Sequence, residues 1–168
     1  MMDTYDDSAT AHVPLKRVCW SFVLCMVADF IPFTEPLYWL PEWSALMLMY
    51  WLIHNPRRIG LGAAFVLGLL VDIGTVSPLG SHSLAYCLSS YWLMRHRRQF
   101  TLQNYGFQAL AVAVALAGNE AVLALVRWLT EHRFAGWQIF YASLSAALLW
   151  PVLNKIMRIV AHRKRWGK

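Results

Sequence analysis

Charge is what this sequence has least of: Asp, Glu, Lys and Arg make up 14% of its 168 residues, against 58% that are hydrophobic. That balance excludes an ordinary soluble domain of this size. The three cysteines, Cys19, Cys25 and Cys87, offer neither an even disulfide set nor a C-x-x-C pair, and all lie inside apolar stretches. They read as small buried hydrophobes. Enzyme signatures are missing too. Gly60-Leu-Gly62-Ala-Ala-Phe65 ends in Phe where a dinucleotide loop needs Gly, and Ser81-His82-Ser83 lacks the surrounding nucleophile elbow. No H-E-x-x-H and no P-loop lysine occurs. The sequence therefore calls for no catalytic residue, no metal and no cofactor. Lys16 and Arg17 precede an apolar run as in a signal peptide, yet Pro32-Phe-Thr-Glu-Pro36 follows in place of a small-x-small cleavage site, so a retained first helix is expected.

What is present is a series of apolar segments, at Val18 to Phe33, Leu37 to Ile53, Ile59 to Val76, Leu79 to Leu93, Tyr105 to Leu129 and Trp137 to Val160. A helix needs about 20 residues to cross about 30 Å of hydrocarbon, so the second, third and fourth are short and the last two comfortable. The expected architecture is all-α, a polytopic membrane bundle of about six transmembrane helices. Residues 1–14 would be a disordered acidic cytoplasmic tail, 15–161 a single transmembrane domain and 162–168 a basic cytoplasmic tail.

The net charge of +6 does not indicate nucleic acid, because the basic residues sit in clusters between apolar runs. All of the 15 Lys and Arg except Arg127 and Arg133 fall on one side of such a bundle, which makes both termini cytoplasmic. The same arithmetic leaves one alternative open. The 59–93 block starts and ends on the basic side whether it spans twice or dips in as a re-entrant hairpin.

Three acids stand inside apolar segments: Asp29, Asp72 and Glu120. An intramembrane charge costs on the order of 3 kcal/mol, so each should face the bundle interior, a cavity or a partner. At 1.5 Å per residue, Asp29 lies ~18 Å beyond Arg17, Asp72 ~21 Å beyond Arg58 and Glu120 ~22 Å beyond Tyr105. All three helices run outward, so the acids reach similar depth. With His82 they form an expected intramembrane polar cluster, either an outward-facing pocket or an interhelical hydrogen-bond set. Small residues recur every fourth position at Gly60, Ala64 and Gly68, and again at Ala109, Ala113, Ala117 and Ala121, which predicts close helix packing on those two helices. Tyr38, Trp39, Trp43 and Phe134, Trp137, Tyr141 would form an outer aromatic belt. Tyr38, Trp39 and Trp137 double as a candidate partner surface.

The run from Leu40-Pro-Glu-Trp through Asn55-Pro-Arg-Arg to Cys87 resembles the MreD family of bacterial rod shape-determining membrane proteins. The pattern is a Pro before an aromatic helix start, a Pro-x-Arg turn, a glycine-punctuated helix ending in Asp and a Leu-Gly loop. Pro41, Trp43, Tyr50, Trp51, Pro56, Arg58, Gly62, Phe65, Gly68, Asp72, Leu79 and Gly80 stand at matching positions, and Leu149-Trp-Pro151 is similar to the family's last helix. The family often has Gly where Ala64 stands, and its first helix need not carry an acid such as Asp29. The resemblance implies a non-enzymatic part of the side-wall peptidoglycan synthesis complex in the bacterial inner membrane, binding MreC directly, with MreB, RodA and its partner transpeptidase in the wider assembly. It also implies a fold similar to the six-helix substrate-binding subunits of vitamin transporters. The competing function is such a small-molecule-binding subunit, although Val18 to Phe33 lacks the Ala-x-x-x-Ala stripe those subunits use for docking.

Overall fold

A computed structural model describes residues 14–31, 41–56, 58–101, 105–132 and 139–162. They form six helices: α1 (Leu15–Phe30), α2 (Trp43–His54), α3 (Leu61–Thr75), α4 (Ser81–Thr101), α5 (Tyr105–Glu131) and α6 (Ile139–His162). Tyr38, Trp39 and Trp137 lie outside the described residues, as do both expected tails beyond 14 and 162.

Helix ends follow local chemistry. α1 starts directly after Pro14 and stops at Phe30, because Ile31 precedes Pro32 and a residue before proline is pushed out of the helical region. α2 starts at Trp43, later than its apolar run, since Pro41 has no N–H to give to a helix. α4 continues to Thr101, past the Leu93 at which the apolar run stops. Arg and Gln propagate a helix well, so losing hydrophobicity there does not end it.

The helices pack largely in chain order: α3 on α4, α4 on α5, α5 on α6, and α1 on α2. The centre is α2. Every residue from Ser44 to Ile53 is buried, which requires neighbours on all sides, and they come from α1, α4, α5 and, through Trp150, α6. With twelve residues it spans ~18 Å, shorter than a hydrocarbon core. In α5, Gly106–Thr130 is apolar and long enough to cross a membrane unaided.

The α3 stripe packs against α4. A Cβ on Gly68 would come within 2.5 Å of the Ser83 backbone, so only glycine lets the two helices meet there, and Ala64 is fully buried one turn earlier. Gly60 has open space around it. On α5, Ala109, Ala113 and Ala117 are half-buried and Ala121 is exposed. The two stripes thus serve different surfaces and do not form one shared core.

Polarity is inverted relative to a water-soluble bundle. Asp72, His82, Ser90 and Asn119 are buried, while Trp20, Leu24, Phe65, Val66, Leu125 and Leu148 point outward. On α6 the exposed residues Tyr141, Leu144, Leu148, Val152, Ile156 and Ile159 repeat at three- and four-residue spacing, a continuous apolar stripe. A surface of this kind is matched by lipid. The chain is a helical membrane protein.

Candidate functional site

Helices α2 and α4 begin inside the protein, and a helix start leaves four backbone N–H groups without intrahelical partners. Neither has a local side chain to meet that need. Glu42, at the N-cap of α2, makes no side-chain cap bond, and Gly80 precedes α4. Carboxylates from other helices fill both roles. Asp29, near the end of α1, accepts Trp43 N–H on Oδ1 and Ser44 N–H on Oδ2, each at 2.8 Å. Asp72, near the end of α3, accepts Gly80 N–H on Oδ2 at 2.8 Å and His82 N–H on Oδ1 at 2.9 Å. Negative charge at these positions also opposes the positive end of each helix dipole.

Asp72 governs the whole α3–α4 turn. Its carbonyl accepts Ser77 N–H at 3.1 Å and closes α3 behind a left-handed Val76, while its carboxylate opens α4. Gly80 has φ +98 and nothing near a notional Cβ, so glycine is needed there for its backbone conformation and not for space.

A side-chain network extends from this cap. His82 Nδ1 lies 2.7 Å from Asp72 Oδ1, and its Nε2 is 3.7 Å from Glu42 Oε1. The Tyr86 hydroxyl donates to Glu42 Oε1, and Asn119 Nδ2 reaches Glu42 Oε2 at 3.5 Å. The imidazole therefore sits between two carboxylates from α3 and the start of α2, and α5 joins through Asn119. Such an arrangement can fix the rotation of four helices, but it presents no nucleophile beside a base.

Of the expected cluster, Asp72 and His82 are in direct contact. Asp29 joins through the backbone of α2, one residue from Glu42. Glu120 is half-buried on α5 next to Asn119, and no hydrogen bond ties it to the other three among the described residues. Three members were missed by sequence reasoning. Glu42 falls within the apolar segment 37–53, the same signal that marked Asp29, Asp72 and Glu120. Tyr86 stands four residues after His82 on the same face of α4, and Asn119 beside Glu120, both visible as polar groups in apolar runs. Among the described residues no group of three or more His, Cys, Asp or Glu could hold a metal ion.

The remaining motif positions surround this frame. Pro41 is buried, and Trp43 supplies an N–H to Asp29. Pro56 lies in the turn after α2 next to exposed Arg58, and Gly62 stands at the start of α3 with open space around it. Phe65 turns its ring outward while its carbonyl accepts Ser83 Oγ at 3.1 Å.

The family model described as rod shape-determining protein MreD matches residues 15–160. The chain belongs to the MreD family. A curated relative from Haemophilus influenzae (strain ATCC 51907 / DSM 11121 / KW20 / Rd), described as rod shape-determining protein MreD, is 28% identical over 143 residues, covering 84% of this chain and 88% of the relative. The match to the family takes in all of α1 to α5 and α6 to within its last turn. No solved structure matches the chain significantly. Membership makes this a protein of cell-shape determination, and the family description names no reaction.

Proposed function

We propose that the chain is a non-enzymatic, multi-pass component of the bacterial inner membrane that helps maintain rod shape by binding MreC and organising the side-wall peptidoglycan synthesis complex, in which MreB, RodA and its partner transpeptidase also take part. The family membership supports the shape role, and the architecture supports a scaffold. The observation that carries this reading is the way buried carboxylates are spent on holding helices: Asp29 and Asp72 each cap a neighbouring helix, and Glu42 is bound by Tyr86 and Asn119. A partner platform has to keep its outer surface fixed, and caps made across helices do that.

Both termini face the cytoplasm in this proposal, following the clustering of Lys and Arg. Helices α3 and α4 are two continuous crossings joined at the outer side by the Asp72 turn. Tyr38, Trp39 and Trp137 are the candidate contacts to MreC in this proposal. Tagged chain co-purified with MreC in detergent tests the proposal. Wild type should retain MreC, and Trp39→Ala should weaken retention without loss of folding. If well-folded wild type captures no MreC, the scaffold reading fails.

A further inference from the structure

From Ile59 to Met94 the sequence carries no Lys, Arg or Glu, and its single Asp, Asp72, is buried. The tip of the α3–α4 hairpin, residues 73–81, therefore offers no charge to water. Large apolar side chains project from it: Val76 is 92% exposed and Leu79 73%, with exposed Ile73 near the end of α3 and exposed Leu84 in the first turn of α4. Val76 also holds φ 54 and ψ 33, the left-handed region, where a β-branched residue is strained and Gly or Asn is the usual choice. A valine kept there, with so little of it touching the chain, has its apolar contact outside the chain.

The polar groups of the tip are met from within. Thr75 Oγ1 donates to the Val71 carbonyl at 2.8 Å and lies 2.8 Å from Ser77 Oγ, and Ser81 Oγ donates to the Pro78 carbonyl at 2.7 Å. In the backbone, Val76 and Ser77 N–H share the Asp72 carbonyl, and Gly80 and His82 N–H take its carboxylate. Ser81 N–H takes the Pro78 carbonyl at 3.1 Å, and Pro78 itself has no N–H. Solvent would satisfy a turn in water without these bonds, whereas backbone in contact with lipid has to find its partners in the protein.

The helix lengths set the depth. α3 has 15 residues and rises ~22 Å, and on α4 Ser81 lies ~21 Å beyond Arg95. Both fall about 8 Å short of the ~30 Å of hydrocarbon, and any tilt lowers the reach further. The turn folds back over Asp72, so it adds little. With Arg58 and Arg95 at the cytoplasmic boundary, the hairpin ends below the outer headgroups. We infer that the tip of the α3–α4 hairpin is seated among the upper acyl chains of the outer leaflet, with Val76 and Leu79 as its contacts to lipid. The inference rests on the reading of α3 and α4 as two crossings.

Bimane attached to Leu79→Cys in the full chain, with Cys19, Cys25 and Cys87 replaced by alanine, tests it in nanodiscs of phosphatidylethanolamine and phosphatidylglycerol. A nitroxide on the lipid acyl chain should quench this probe severalfold more than bimane on the exposed Arg58→Cys, and iodide severalfold less. Ile73→Cys, deeper on α3, should behave as Leu79→Cys does. Iodide quenching equal to that of Arg58→Cys places the tip in water and overturns the inference. Protection from both quenchers means that a second copy or another protein covers the tip, and overturns it as well. Topology is read separately: an impermeant maleimide should miss Arg58→Cys and Arg95→Cys in intact spheroplasts and label both after permeabilisation. Labelling of either in intact spheroplasts breaks the two-crossing reading and the depth count with it.

Discussion

Asp72 and His82 meet across the α3–α4 turn, with imidazole Nδ1 2.7 Å from carboxylate Oδ1, and the same oxygen accepts the His82 backbone N–H at 2.9 Å. One residue thus satisfies both the helix start and the His82 side chain of α4. Asp72→Asn keeps the shape but replaces one acceptor oxygen with an NH2 that must face a backbone N–H. The expected loss is about 1 to 3 kcal/mol, the cost of leaving a buried donor unpaired. Melting of purified protein in detergent checks it. Glu120→Gln, at a half-buried site without these bonds, should melt within a degree or two of wild type, since uncommitted positions contribute about 0.5 kcal/mol or less.

The pairing of Asp72 with His82 was legible because both lie in apolar runs at matched depth, ten residues apart across a Leu-Gly loop. The six helices were legible for the same reason, as apolar runs separated by Pro and basic turns. The central place of α2 was not. Its run is no more apolar than its neighbours', and which helix is enclosed depends on how the others rotate about it, a property of inter-helix contacts with no periodic trace along the chain. The capping role of Asp29 was hidden likewise. Its depth can be read from spacing, but that it meets the backbone of Trp43 and Ser44 depends on where α2 starts.

Three glycine substitutions should separate close approach from open space. Gly68→Ala drives a methyl into the Ser83 backbone, which neither helix can yield without moving, so a loss of about 1 to 3 kcal/mol is expected. Gly74→Ala meets only the Phe30 ring, which can swing aside, and should cost less. Gly118→Ala has nothing within 4 Å and should raise stability by about 0.5 to 1 kcal/mol through better helix propensity. The order of the three melting temperatures checks the packing of α3 on α4 independently of any polar group.

Among the described residues, α1 is fastened to α2 by two polar links. Asp29 holds the start of α2, and Trp51 Nε1 donates to Ser21 Oγ at 2.9 Å near the other end. Asp29→Ala should cost about 1 kcal/mol, as loss of a helix cap does. Combined with Trp51→Phe it should release α1 from α2, seen as faster alkylation of the half-buried Cys25. Each single variant should leave that rate nearly unchanged, because one link still holds the helix.

Glu42 and Tyr86 provide the sharpest check on the network, because each can be altered without changing its volume. Tyr86→Phe removes the hydroxyl that donates to Glu42 Oε1 and leaves a largely buried carboxylate with His82 and Asn119 as its remaining neighbours. The expected cost is about 1 to 3 kcal/mol. Glu42→Gln keeps an oxygen that accepts from Tyr86 while removing the charge that burial penalises, so it should be milder. The double variant decides whether the two residues act through each other. If they do, its loss is smaller than the sum of the single losses by at least about 0.5 kcal/mol, the coupling expected of groups in contact. Simple additivity would mean that Glu42 is held by His82 and Asn119 instead, with Tyr86 only filling space above α2.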